Sequence, residues 1–156
     1  MKEDHNESGD LKSLVLLAVI LLLKGYDRIE FGYRGCGYDL LASKNETITI
    51  FNVKQRSFES TRFGDIVIST PDFNALIWAA NNIKADKLRY VYIFTDILFI
   101  SDENNWGDKI IYAPRTQRFN DHTIVEKQCK WKSIYDKSLI RIDYHKINFN
   151  KLLYPY

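Results

Sequence analysis

Cysteine and histidine are scarce in this chain of 156 residues, and their scarcity excludes several chemistries. Cys36 and Cys129 are the only two cysteines. They are too few for a disulfide framework, and neither belongs to a Cys-x-x-Cys pair of the kind that holds zinc. A reduced, cytoplasmic setting follows. The three histidines, His5, His122 and His145, have no spacing that makes a metal triad, and Asn120-Asp121-His122 reads as a polar turn.

A long apolar run is also missing. Leu14 to Leu23 holds ten residues between Lys12 and Lys24, against the about 20 that a bilayer span needs. The run reads as a buried helix and not a membrane anchor. Ser8, Gly9 and Asp10 mark its start, and Gly25 falls where a helix C-cap belongs. Apolar on nearly every side, such a helix needs cover from a sheet and from a second element or a partner chain. The residues ahead of it, Lys2-Glu3-Asp4-His5-Asn6-Glu7, are mainly acidic, unlike the basic start of a signal peptide. Without export, the Asn45-Glu46-Thr47 sequon carries no consequence.

A content of 46% hydrophobic and 14% aromatic residues supports a packed core. The length suits one domain over residues 1–156, with no linker, internal repeat or low-complexity tract to divide it. The most informative stretch is a pair of β-type runs, Tyr38 to Ser43 and Thr47 to Arg56, separated by the polar Lys44-Asn45-Glu46 that closes a hairpin. Alternation puts Thr47, Thr49, Phe51, Val53 and Gln55 on one face of the second run. Ile48, Ile50, Asn52, Lys54 and Arg56 take the other. Asn52 and Lys54 thus share a face that is dry at one end and polar at the other, and Asp39 approaches it from the neighbouring strand.

This arrangement resembles the PD-(D/E)XK nuclease superfamily, the fold of many restriction enzymes and archaeal junction resolvases, over residues 7–101. The resemblance implies an α/β, restriction endonuclease-like core with a mixed central sheet flanked by helices. It matches Asp39 to the metal-binding aspartate and Lys54 to the lysine that positions the attacking water. Asn52 stands where the family has its second acid, and offers a neutral oxygen to a hard cation without a charge. By the same resemblance the catalytic set is Asp39, Asn52, Lys54 and Glu7, the metal ligands are Asp39 and Asn52, and the cofactor is Mg²⁺ or Mn²⁺. Gln55 and Arg56 are the candidates for substrate phosphates, DNA is the partner, and a homodimer is implied. Such a cation neutralises phosphate charge and acidifies a water. Spacing alone leaves the second acid open among Glu7, Glu30, Glu59 and Asp65.

Each residue has a plainer reading. Asp39 after Gly35-Cys36-Gly37 suits an ordinary turn, and Lys54 and Arg56 suit a solvated strand end. Asn52 alone is a structural hydrogen-bonding residue, and Glu7 is a first-turn acid favoured by the helix dipole. The sequence therefore supports an active nuclease, a nuclease fold that has lost catalysis and serves as a nucleic-acid-binding or assembly module, or an unrelated α/β interaction protein.

Further along, Asp65 to Ser69 reads as a short strand, and Thr70-Pro71-Asp72 opens a helix through Phe73, Leu76, Ile77, Ala80 and Ile83. Trp78 belongs beside its apolar face. Arg89 to Ser101 is one long strand, or two joined at Thr95-Asp96. Residues 102–156 form a β-rich extension of the same domain. Residues 108–156 carry ten Lys/Arg against five Asp/Glu. These alternate with Tyr112, Phe119, Trp131, Tyr135, Tyr144 and Phe149, a mixture suited to phosphate contact and base stacking, or to an extra β layer with a solvated face. Leu139 to His145 reads as an amphipathic strand.

Overall fold

The computed structural model describes residues 2–114 and 123–150, and the backbone alone for residues 2–10 and 114. Helix α1 (Lys2–Leu23) leads into β1 (Arg28–Phe31), β2 (Leu40–Lys44) and β3 (Thr47–Gln55). Strand β4 (Asp65–Ser69) runs directly into α2 (Thr70–Ile83), followed by β5 (Lys87–Ile93), β6 (Leu98–Ser101), β7 (Gly107–Pro114), β8 (Ile124–Ser133) and β9 (Ile140–Ile142). Among the described residues these strands form two sheets. The larger has the order β1-β2-β3-β5-β6-β9 and the smaller β4-β8-β7.

The large sheet is mixed. β2 and β3 pair antiparallel from Leu40↔Phe51 to Lys44↔Thr47, and the turn residues Asn45 and Glu46 both take left-handed φ, 51° and 68°. Two such residues match the right-handed twist of the strands they join, which is why the hairpin closes this tightly. β3 and β5 pair parallel. A parallel pair needs a crossover, and the segment through β4 and α2 supplies it.

Two apolar layers hold the sheet. On one side Leu17, Ile20 and Leu21 of α1 pack on Phe51, Val53 and Val91. On the other, Phe73 and Leu76 of α2 and Ile66 and Ile68 of β4 pack on Ile50 and Tyr90. Each fully buried leucine or isoleucine here stabilises the fold by roughly 1.5–3 kcal/mol. The β3 alternation falls as the sequence indicates, with Phe51 and Val53 on the α1 side and Ile50 on the α2 side.

One boundary differs from the sequence reading, and other details are resolved. The first helix starts at Lys2, not at Ser8 to Asp10. Acids in its opening turns suit the N-terminal dipole, and one interior glycine costs only about 1 kcal/mol. It ends as expected, with Gly25 at φ +92° just beyond it. The sheet covers one side of the helix, while Leu11, Val15 and Leu22 stay exposed. No helix among the described residues is long and apolar enough to cross a membrane. Arg89 to Ser101 is two strands with a turn at residues 94–97, where the Phe94 N–H donates to Ile97. Trp78 is 59% exposed.

The C-terminal extension is an extra β layer tied to the core. β8 pairs with β4 as well as β7, so the small sheet is built from both halves of the chain. Only Ile140–Ile142 of the expected last strand is extended; it pairs with β6, and a 3₁₀ turn follows at Tyr144–Lys146. Phe119 and His122 lie outside the described residues.

Candidate active site

Asp39 sits one step before β2, and continuing the Leu40↔Phe51 register sets it opposite Asn52. Its backbone is held on both sides: its N–H donates to Phe51 O at 2.8 Å, and its carbonyl accepts from Gly32 N at 2.8 Å. The carboxylate accepts the Val53 N–H at 2.6 Å. β3 runs past the end of β2, so this amide would otherwise lack a partner on that edge, and the side chain stands in for a missing strand. Gly37 is required two residues earlier. Its φ is +89°, and a Cβ there would meet the Cβ of Ala79 on α2 at 2.9 Å.

Asn52 and Lys54 lie on the α2 side of β3. Asn52 Oδ1 is buried and has no hydrogen-bond partner among the described residues. An orphaned oxygen costs roughly 1–3 kcal/mol, a cost that a cation ligand would remove. The Lys54 ammonium lies 2.9 Å from the carboxylate of Asp72, on the first turn of α2. That turn is fixed by Ser69, whose hydroxyl accepts the Asp72 N–H at 3.3 Å, and by Pro71 at the helix start. Partial burial pushes the Asp72 carboxyl up, but the hydrogen bond and charge of Lys54, the Ser69 hydroxyl and the charge of Lys127 outweigh it and hold it below the ordinary carboxylate range.

Lys54 and Asp72 stand on the wall of a cleft of ≈ 810 Å³ between the two sheets. Arg56, Asp65, Lys109 and Lys127 also line it, with Phe58, Phe63 and Tyr92 among its aromatic residues. Lys109 pairs with Asp65 at 2.7 Å. Arg56 lies over the Tyr92 ring at 5.1 Å. Four cations, Lys54, Arg56, Lys109 and Lys127, and two carboxylates, Asp65 and Asp72, line the cleft, so its lining carries net positive charge. Asp39 and Asn52 are not among the residues that line it.

The other candidates are dispersed. Gln55 accepts the Ser13 hydroxyl at 2.6 Å on the α1 side, away from the cleft. Glu30 pairs with Arg28 on exposed β1, Glu59 precedes the 3₁₀ turn Ser60–Arg62, and Asp65 belongs to Lys109. Glu7 falls within α1, with its side chain outside the described residues. No group of three or more Asp, Glu, His or Cys that could hold a metal gathers among the described residues. Sequence reasoning missed Asp72, Lys109 and Lys127. Asp72 was visible only as a helix-opening residue, and nothing in its 18-residue separation from Lys54 signals their contact.

No protein-family model matches the chain, and no curated protein sequence matches it. Among solved structures, the fold is similar to that of Hjc, a Holliday junction resolvase from the archaeal hyperthermophile Archaeoglobus fulgidus. The TM-score is 0.57 at 14% identity, and the match covers 81% of this chain and 84% of that one. The architecture is therefore the restriction endonuclease-like α/β fold, a mixed central sheet flanked by helices.

Proposed function

We propose that this chain, on a restriction endonuclease-like fold, is a divalent-cation-dependent DNA endonuclease of the PD-(D/E)XK type. The observation that carries the reading is the Lys54–Asp72 pair on the wall of a basic cleft, on the same sheet face as Asn52, which stands opposite Asp39 in the strand register. Asp39 and Asn52 fit a hard cation as one carboxylate and one orphaned amide oxygen, and Mg²⁺ takes one or two carboxylates together with waters and substrate oxygens. When bound, Mg²⁺ or Mn²⁺ supplies charge neutralisation at the phosphate and an acidified water.

The chain's own residues do the remainder. The Asp72 carboxylate fixes where the Lys54 ammonium points. Lys54 stabilises charge that builds on the phosphate oxygens, and Arg56 and Lys127 hold neighbouring phosphates along the cleft. Asp72 is the positioning residue for Lys54, because it is the carboxylate in contact with the lysine. Two strands need two such sites, and a homodimer supplies them, with exposed Leu11, Val15 and Leu22 of α1 as its interface. A monomer mass by light scattering at micromolar concentration would remove the dimer.

The second reading is a fold that binds nucleic acid without cleaving it. Neutral Asn52 and the lack of a three-carboxylate group among the described residues favour it. Cleavage of plasmid and branched DNA with Mg²⁺ or Mn²⁺ separates the two.

A further inference from the structure

Phe63 stands at the mouth of the cleft with 66% of its surface exposed, on a turn that is unusually well fixed for an exposed apolar side chain. Its ring meets Phe58 edge-on at 5.2 Å, and the Arg62 guanidinium lies 5.4 Å from both rings. Phe58 in turn rests on buried Phe94 at 5.9 Å. The backbone is tied from three directions. Asp96 accepts the Ser60 N–H at 2.8 Å and the Ser60 hydroxyl at 2.7 Å. Thr95 N donates to Phe58 O, and Ile134 N donates to Gly64 O, both at 3.1 Å. Gly64 takes φ +70°, which turns the chain away immediately after the phenylalanine. A pre-positioned ring loses little freedom when something stacks on it.

We infer that Phe63, backed by Arg62 and Phe58, is a stacking platform for an unpaired nucleobase at the entrance of the cleft. This rests on the nucleic-acid reading above and narrows its substrate class. A base inside an uninterrupted duplex already has both faces covered by its neighbours. A base in a single strand, a flap or an open end has a face to offer, and aromatic rings take such faces without regard to sequence. Arg56 and Lys127 line the same cleft and are cations for the phosphates next to that base, and an arginine beside the ring adds a cation over the π-system. Tyr33 and Tyr135 are at least as exposed as Phe63 but do not line the cleft. The substrate therefore carries at least one unpaired base beside the phosphate held at Lys54.

The test uses the full chain with two probes, a single-stranded oligonucleotide carrying 2-aminopurine and a blunt duplex of the same length. Wild type is compared with Phe63→Ala, Phe63→Leu and Phe63→Trp. Phe63 is largely exposed, so these variants keep the wild-type circular dichroism and melting curve. The expected result is tighter binding of the single strand than of the duplex, with the 2-aminopurine emission altered by stacking. Ala and Leu should each weaken the single strand by about tenfold, the loss of one stacked base. Duplex binding should stay within about twofold, and Trp should restore both affinity and signal. Single-strand binding unchanged in Ala and Leu overturns the platform and leaves the nuclease reading standing. A wild type that binds neither probe overturns both.

Discussion

The Lys54 ammonium and the Asp72 carboxylate, 2.9 Å apart, join the sheet's third strand to the first turn of α2 at the wall of the cleft. Lys54 is 29% exposed and Asp72 49%, so solvent screens the pair and its contribution to stability stays below about 1 kcal/mol. Its value lies in orientation. A lysine with a fixed acid partner keeps its direction when a phosphate arrives.

Lys54→Ala should therefore leave the fold intact and lower DNA cleavage by about 10²-fold or more, the usual cost of removing one electrostatic group from a phosphoryl or acyl site. Asp72→Asn keeps the contact without the charge, and its loss should be smaller than that of Lys54→Ala. DNA binding measured by gel shift should change little in either. Binding lost along with cleavage would place Lys54 in affinity and not in chemistry.

The sign of the pH dependence follows from the lowered Asp72 carboxyl. A group held below its unfolded value stabilises the fold fully above the ordinary carboxylate range. That contribution fades as pH falls through the depressed folded value. The urea midpoint of wild type should exceed that of Asp72→Asn at pH 7, and the two should converge as pH falls through the depressed Asp72 carboxyl. A gap that widens in acid would reverse the assignment.

Asn52 is the position where the site departs most from the family pattern. Asn52→Asp should raise Mg²⁺-dependent cleavage and tighten the response to metal, because a carboxylate brings the charge that the amide lacks. Asn52→Ala should abolish the metal response at little cost in stability, since it removes an orphaned buried oxygen along with its side chain. Metal titrations of cleavage and urea melts measure the two effects separately.

Lys132 makes the opposite prediction, a large effect on stability with no role in the site. It is 2% exposed. Its ammonium donates to Ser101 Oγ at 2.6 Å and Asn104 O at 2.8 Å, and lies 5.0 Å from the Trp106 ring. Burial pulls it below the ordinary lysine value, although Asp136 and Asp102 partly oppose this. Lys132→Ala opens a cavity and strands two acceptors, costing about 2–5 kcal/mol. Lys132→Met keeps the stem and should cost less, and urea denaturation ranks the two.

What could be read in the sequence was local. The β2–β3 hairpin announced itself by alternation and by Asn45-Glu46, the α2 start by Pro71, and the end of α1 by Gly25. Whatever depended on distant pairing could not be read. β4 looks like any short strand until Ser69 pairs with Cys129 and Asp65 with Ser133, placing it in a second sheet. The cleft lies between those sheets, so Lys109 and Lys127 gave no sign of facing Lys54. Asp72 was hidden by its success as a helix-opening residue, and Gln55 by standing next to Lys54 in sequence while facing α1 in space.

Mg²⁺- or Mn²⁺-dependent cleavage of plasmid and branched DNA, with wild type beside identically prepared Asp39→Asn and Lys54→Ala, tests the central claim most directly. The account predicts cutting by wild type that chelation of the metal stops, and its loss in both variants. A wild type that shifts DNA in a gel but cuts none with either metal would contradict it and leave a nuclease fold used for binding.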